Sequence, residues 1–342
     1  RIIKQDMGKD LVLVNLAMIQ PFEHIVPMYE LNIGSHMDEY TGLEQIAYDG
    51  VEIPFVQMDH HFPTIDEISG LIGLVQDFKP YQIVSLDNSI ITDILSLLVP
   101  TLFISLTPSE LKRTYAQYIQ IGRKVNDDDR VKLLRRGKKE INVISGIFSS
   151  RLSDQKESKT RKELGIPEDV KIGVVIGARL EKEVTEAYLK VIRECLKKGM
   201  YMMFIGAVTD ILGMMEKVFG EYMDQALLPG IVPDPQMYLE HCHIYLNPIR
   251  RGGGTSSVEA MSKGVVPLTT EYGDVYVNVG DDFLVFDYDE MTEIAIRLLD
   301  DEEYYLDMSK KALERAKKMT DTDRAFLEIM DEFTERMIRD EL

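Results

Sequence analysis

Cysteine is nearly absent. Only Cys195 and Cys242 occur in 342 residues, too few for a disulfide scaffold and suited to a reducing compartment. Basic charge is in deficit, with 39 Lys and Arg against 58 Asp and Glu, a net of −19. A general nucleic-acid binder needs a basic surface to meet phosphates, so that class is excluded. Long apolar runs are missing too. The most apolar stretch, 96–106, contains Pro100 and falls far short of the roughly 20 residues that span a bilayer. There is no internal repeat, no low-complexity tract and no secretory pattern. Residue 1 is an Arg inside a structured-looking stretch, so the native start is expected upstream.

What is present is ordinary for a folded chain, with 45% hydrophobic and 28% charged residues. The length exceeds what one core usually organises, which predicts two domains. The second half alternates strand and helix. Residues 171–176 (KIGVVI) read as a buried parallel strand ending at Gly177. Val184, Ala187, Tyr188, Val191, Ile192, Cys195 and Leu196 make one helical stripe, stopped by Gly199. Strands are expected at 201–205, 228–232, 244–247 and 265–269, with helices near 209, 235–241 and 255–263. That alternation predicts a doubly wound sheet. The first half shows the same grammar over 11–16, 65–78, 82–86, 89–98 and 101–106, whereas 36–63 resists assignment. The expected division is a Rossmann-like domain over 1–150, a polar linker over 151–163, a second Rossmann-like domain over 164–320 and a terminal helix over 321–342. Ala325, Phe326, Ile329, Met330, Phe333 and Met337 share one face of that helix. The face must dock somewhere, and a return to the first lobe is one route.

The strongest local signal is LNPIRRGGGTSSVEAMSKG at 246–264. A strand delivers the chain to Asn247, and Gly252, Gly253 and Gly254 then permit unusual dihedrals and close approach to a ligand. Thr255 is a natural N-cap, so the loop empties into a helix start whose free N–H groups favour an anion. A diphosphate is the expected occupant; the plainer alternative is a flexible loop before a well-capped helix. Neither the Gly-Lys-Ser/Thr of a P-loop nor GxGxxG is present, which weakens ATPase and dehydrogenase readings. Glu259, one turn further in, has the position to accept two hydrogen bonds from ribose hydroxyls, or is a surface glutamate. Arg179 and Lys182, beyond the 171–176 strand, have the charge to neutralise a diphosphate leaving group, or pair with Glu181 and Glu183 in a solvated loop. Arg250 and Arg251 add charge beside the glycines.

Residues 130–139 (RVKLLRRGKK) hold six bases and no acid. They read as contact with an acidic membrane surface or anionic acceptor, against the plainer solvated helix. His60 and His61 are candidates for a general base on the acceptor side. His241, Cys242 and His243 lack a zinc spacing, and no metal site is read.

Residues 164–318 resemble the nucleotide-sugar-binding domain of GT-B glycosyltransferases, especially the group-one, family-four-like enzymes. The landmarks in order are LGIPEDVKIGVVIGARLEK, FIGA, LPGIVPDPQMYLEHCHIYLNP and RRGGGTSSVEAMSKGVVPLTTEYG. The resemblance implies two Rossmann-like domains facing across a cleft. It also implies a nucleotide-sugar donor, with UDP as the expected nucleotide and no separate cofactor. Arg179 and Lys182 would act on the diphosphate, which Gly253, Gly254, Thr255 and Ser256 would hold. Glu259 would meet the ribose, Ile231 and Val232 the base, and Glu271, Tyr272 and Gly273 the sugar. One departure stands out: where the family's first paired glutamate belongs, eight residues before Glu259, this chain has Arg251. The Arg179-to-Lys182 spacing is also short, and stereochemistry stays unassigned. The implied activity is sugar transfer to a glycan, protein or lipid-linked acceptor, as in surface polysaccharide assembly or protein glycosylation, in the cytoplasm or peripheral to the membrane's inner face. The alternatives are a catalytically inactive partner subunit of a glycosyltransferase complex and a sugar-nucleotide epimerase.

Overall fold

A computed structural model describes residues 1–16, 36–59, 64–87, 90–107, 109–147 and 149–340. The chain divides into two compact units. The first comprises Arg1–Leu106, Glu110–Gly146 and Phe326–Leu342, and the second Thr107–Ser109 and Ile147–Ala325.

The first unit holds two sheets. In the smaller, β1 (Leu13–Asn15) runs parallel to β3 (Val51–Gln57), and β2 (Gln45–Tyr48) lies antiparallel on its other side. These two hairpin strands occupy the stretch 36–63 that the sequence left unassigned. The larger sheet is parallel, in the order β4 (Ile83–Leu86), β5 (Thr101–Ile104), β6 (Tyr118–Ile121), β7 (Val143–Ser145). Its helices begin where side chains satisfy free amides. Thr64 and Glu67 form a capping box on α1 (Ile65–Phe78), and Asn126 and Asp129 form one on α3 (Asp127–Arg135). Between them lies the short α2 (Ile90–Leu95).

The second unit is a six-stranded sheet, parallel throughout. Its strands are β8 (Ile172–Ile176), β9 (Tyr201–Ile205), β10 (Ala226–Gly230), β11 (Ile244–Leu246), β12 (Val266–Thr270) and β13 (Leu284–Val285), in the order β10-β9-β8-β11-β12-β13. Counted within the unit this is 3-2-1-4-5-6, the Rossmann order, which reverses between β8 and β11. All five residues of β8 are buried, as a strand covered by helices on both faces must be. The connecting helices are α4 (Leu180–Glu183), α5 (Glu186–Leu196), α6 (Leu212–Phe219), α7 (Gln236–Leu239), α8 (Gly254–Ser262) and α9 (Gly273–Val279). They are followed by α10 (Tyr288–Asp300), α11 (Glu302–Thr320) and α12 (Thr322–Asp340). In α5 the predicted stripe is buried at Tyr188, Val191, Ile192, Cys195 and Leu196.

The polar stretch 151–163, expected to be a linker, lies within the second unit. The Lys156 amide donates to Asp234 (3.0 Å), Ser158 to Glu240 (2.8 Å), and the Arg161 guanidinium to the carbonyls of Pro167, Val170 and His241 (2.9, 3.0 and 3.2 Å). These bonds tie the stretch to the body of the second unit. The terminal helix returns to the first unit. Phe333 meets Tyr118 edge-on at 5.2 Å, Ile329 leaves no room for a Cβ at Gly146, and Arg336 donates to the carbonyls of Glu140 and Ile141 (3.1 and 2.7 Å).

Candidate functional site

A parallel sheet whose order reverses opens a crevice beyond the carboxyl ends of the two strands at the reversal. Here those strands are β8 and β11. The loop after β8 carries Arg179, the loop after β11 carries the glycines, and the topology brings them together. Arg179 ends the β8 loop as the residue before α4. Its Nε and Nη2 donate to Glu183 Oε1 at 3.1 and 2.8 Å, and Nη2 lies 3.2 Å from where a Cβ on Gly252 would stand.

Beneath this pair lies Arg250, which is 4% exposed. Its Nε donates to Asn247 Oδ1 (2.8 Å), Nη1 to Glu183 Oε2 (3.0 Å), and Nη2 to the Ile176 carbonyl (2.8 Å) and Tyr245 Oη (2.7 Å). Glu183 therefore bridges two guanidiniums, one on each carboxylate oxygen. The group of two cations and one anion keeps a net positive charge. Arg250 is not an open cation beside the glycines, as its sequence position suggests; it is their floor. A Cβ on Gly253 would fall 2.5 Å from Arg250 Nη2, and one on Gly177 2.4 Å from Nη1. That floor explains two of the site's glycines.

The helix start differs from the sequence expectation. Gly253, at φ +98°, occupies the N-cap of α8, and no side chain caps it. Thr255 stands one position inside the helix, exposed, because the left-handed turn at Gly253 begins the helix two residues earlier than a threonine cap would. Consequently, among the described residues, the amides of Gly254, Thr255 and Ser256 have no acceptor; the first intrahelical bond runs from Ser257 N–H to the Gly253 carbonyl (3.1 Å). Three free donors and the positive end of the helix dipole point out of the loop.

Glu271 and Tyr272 are exposed on the loop after β12, with Arg251 Nε 3.5 Å from Tyr272 Oη. Gly273 does not line an open surface. At φ +75° it backs onto the glycine loop, where a Cβ would fall 2.1 Å from the Arg250 carbonyl, and the next amide, Asp274 N–H, donates to the Arg251 carbonyl (2.7 Å). Asn278 of α9 abuts Gly254 in the same way, with its Nδ2 2.7 Å from a Cβ there.

Glu259 is half-buried on α8, and its carboxylate has no hydrogen-bond partner among the described residues. Burial first, and the neighbouring Asp234 charge second, push its carboxyl above the usual range. Asp234 is itself held by the amides of Lys156 and Gln236 (both 3.0 Å). The Glu259 face of α8 is thus set beside the loop that follows β10. In that loop Ile231 is 79% exposed, while Val232 is partly buried. Ile231 helps line an apolar pocket of about 410 Å³ with Gly206, Ala207, Val208, Thr209 and Leu228. Lys182 stands exposed on α4, and among the described residues no carboxylate pairs with it; Glu183 is taken up by Arg179 and Arg250. His60 and His61 lie outside the described residues.

Sequence reasoning overlooked Glu183 as a bridge, Asn278 as a wall and the pocket at Ala207 and Val208. Only Glu183 carried a signal, its i,i+4 spacing from Arg179. Among the described residues no three His, Cys, Asp or Glu side chains gather as a metal site would require.

No protein-family model matches the sequence, and neither does any curated protein. Solved structures do match. A glycosyltransferase from Rickettsia africae shares 10% identity at a TM-score of 0.59, over 83% of this chain and 85% of its own. HepE from Anabaena, solved in complex with UDP, shares 13% at 0.61, over 83% and 86%. The UDP-GlcNAc 2-epimerase from Neisseria meningitidis, bound to UDP-GlcNAc, shares 17% at 0.50, over 80% and 84%. Likeness at this identity shows the fold: two Rossmann-like units of the GT-B architecture, as the sequence resemblance implied.

Proposed function

We propose that the chain is a glycosyltransferase that draws a sugar from a nucleoside diphosphate donor, with UDP as the nucleotide. The observation that carries this reading is the junction at the strand reversal, where three unsatisfied amides of α8 and the guanidinium of Arg179 meet. Helix donors plus a fixed cation suit a diphosphate, whose charge grows as the glycosidic bond breaks. In this reading Gly253, Gly254, Thr255 and Ser256 hold the diphosphate, and Arg179 stabilises it as leaving group. Lys182, exposed on a long stem, is the second cation. Glu259 accepts from the ribose, which the lack of any other partner for its carboxylate supports. The base meets the chain at Ile231 and Val232, beside the apolar pocket, and the sugar meets Glu271, Tyr272 and Gly273. The acceptor is a glycan, protein or lipid-linked hydroxyl or amide. Fold neighbours solved with UDP and with UDP-glucose support the choice of nucleotide.

The test is calorimetry with UDP-, GDP- and TDP-sugars. Binding of UDP-glucose or UDP-GlcNAc is expected, weakened about tenfold or more by Arg179→Ala, the scale of one lost charge-assisted hydrogen bond, and less by Glu259→Ala. If none of the donors binds, the reading fails. The epimerase among the fold neighbours favours a second reading, which predicts a new nucleotide sugar from donor incubated without acceptor. Arg251, in place of the expected glutamate, favours an inactive partner subunit, which predicts neither transfer nor donor hydrolysis.

A further inference from the structure

The basic run at 130–139 does not form one charged face. Arg136 donates to the Lys112 carbonyl (2.7 Å) and Lys138 to the Ala116 carbonyl (2.5 Å), and burial lowers the pKa of both. Lys132 pairs with Asp128 (2.5 Å). Arg130 is left to a different arrangement. It lines a pocket of about 510 Å³ in the first unit, together with Lys124 after β6, Arg336 and Arg339 near the end of α12, and Ser145 at the end of β7. Glu140 is the one carboxylate among the described lining residues.

We propose that this pocket binds a small anion carrying two or more phosphate groups. Four cations from three separate segments converge there in a protein whose net charge is −19. Two of them are pinned by protein partners, of which Glu140 and Ile141 line the pocket themselves. Arg130 is held by Glu140 and by Asp127 (2.5 Å), and Arg336 by Glu332 and the carbonyls of Glu140 and Ile141. Asp127, Glu332 and Glu335 are absent from the lining. Each guanidinium has five donors and spends only some on these partners. The other two cations are loosely committed. Arg339 meets Glu335 at 3.5 Å with both side chains about two-thirds exposed, and the Lys124 ammonium has no partner among the described residues. Pinned arginines give bidentate geometry at little entropic cost, and the free lysine and Arg339 add charge that a ligand can neutralise. The volume lies within the range of about 300–1,000 Å³ typical of small-molecule sites and exceeds what a single phosphate needs.

The probe is inorganic pyrophosphate, titrated by calorimetry into the full chain and into Lys124→Gln/Arg339→Gln. Both positions are exposed, so the double variant should melt as wild type does, and a thermal scan checks this. Vesicles of phosphatidylcholine with cardiolipin, whose headgroup carries two phosphates, ask in a sedimentation assay whether the phosphates belong to a lipid headgroup. Wild type is expected to bind pyrophosphate, and the variant to lose one equivalent or weaken it about tenfold or more. Loss of pyrophosphate binding without vesicle capture supports a soluble phosphate ester. Capture of wild type but not the variant supports a headgroup. Superimposable isotherms for the two proteins, with neither captured, overturn the proposal, as does a wild type that binds neither probe.

Discussion

At the residue scale, the site rests on a buried guanidinium. A charge taken out of water is expensive unless paired and hydrogen-bonded, and Arg250 meets acceptors on Asn247, Glu183, Ile176 and Tyr245. Glu183 serves Arg179 with its other oxygen. Replacing Glu183 by Gln leaves one carbonyl oxygen for two guanidiniums and turns an NH2 group toward one of them. Glu183→Gln is therefore expected to lower stability by roughly 3 kcal/mol, the scale of a broken buried pair, read from urea denaturation. Since Arg250 also floors the glycine loop, the same variant is expected to weaken UDP-sugar binding. A variant as stable as wild type would show that Arg250 is solvated rather than paired.

At the scale of elements, the parallel sheet of the second unit is closed at the start of β8 by a histidine. The Ile172 amide donates to His243 Nδ1 (3.2 Å), and the ring packs on Tyr305 at 5.7 Å. An Nδ1 that accepts keeps the ring neutral, with its proton on Nε2. Burial first, then the charges of Arg161 and Lys171, push its pKa down from 6.5 to about 4. The unfolded chain takes up the proton near its ordinary pKa of 6.5 while the folded chain does not until about 4. The contribution of this ring is therefore complete above the higher value and declines as the pH falls toward the lower one. Its size is on the order of 2 kcal/mol after allowing for partial exposure. His243→Phe, which cannot titrate, is expected to lose less stability between neutral and mildly acidic pH than wild type does. Equal slopes in denaturant midpoints against pH would refute the assignment.

For the molecule as a whole, the chain leaves its first unit, builds the second, and returns. The return is secured by α12, whose Phe333 is fully buried against Tyr118. Phe333→Ala removes an aromatic ring from a closed site, and a loss of about 3–5 kcal/mol is expected, read as a lower melting temperature and an earlier denaturant transition. A change below about 1 kcal/mol would mean that the helix is dispensable to the first unit. No described helix is long and apolar enough to cross a membrane. The large negative charge coexists with two local gatherings of cations, at Arg179 and at the pocket near Arg336. Anion binding as proposed at these two places would depend on local placement rather than on net charge.

The sequence by itself determined the elements whose signals are local. Runs such as IGVVI in β8 must be buried on both faces, the stripe in α5 must turn inward, and a triple glycine after a strand must bend the chain before a helix. It was silent on β2, β3, β6 and β7; β3 alternates buried and exposed residues along its length, but Pro54 inside it argues against a strand when the sequence is read alone. Only the tertiary structure decided the strand order that sets the β8 and β11 loops side by side. Only it could show that Arg250 is buried and Arg179 is not, although both precede or follow glycines at strand ends. It also moved the α8 cap from Thr255 to Gly253, since a left-handed turn over a buried guanidinium admits no side chain. Those outcomes depend on which distant residues meet, and sequence spacing carries that information only within an element.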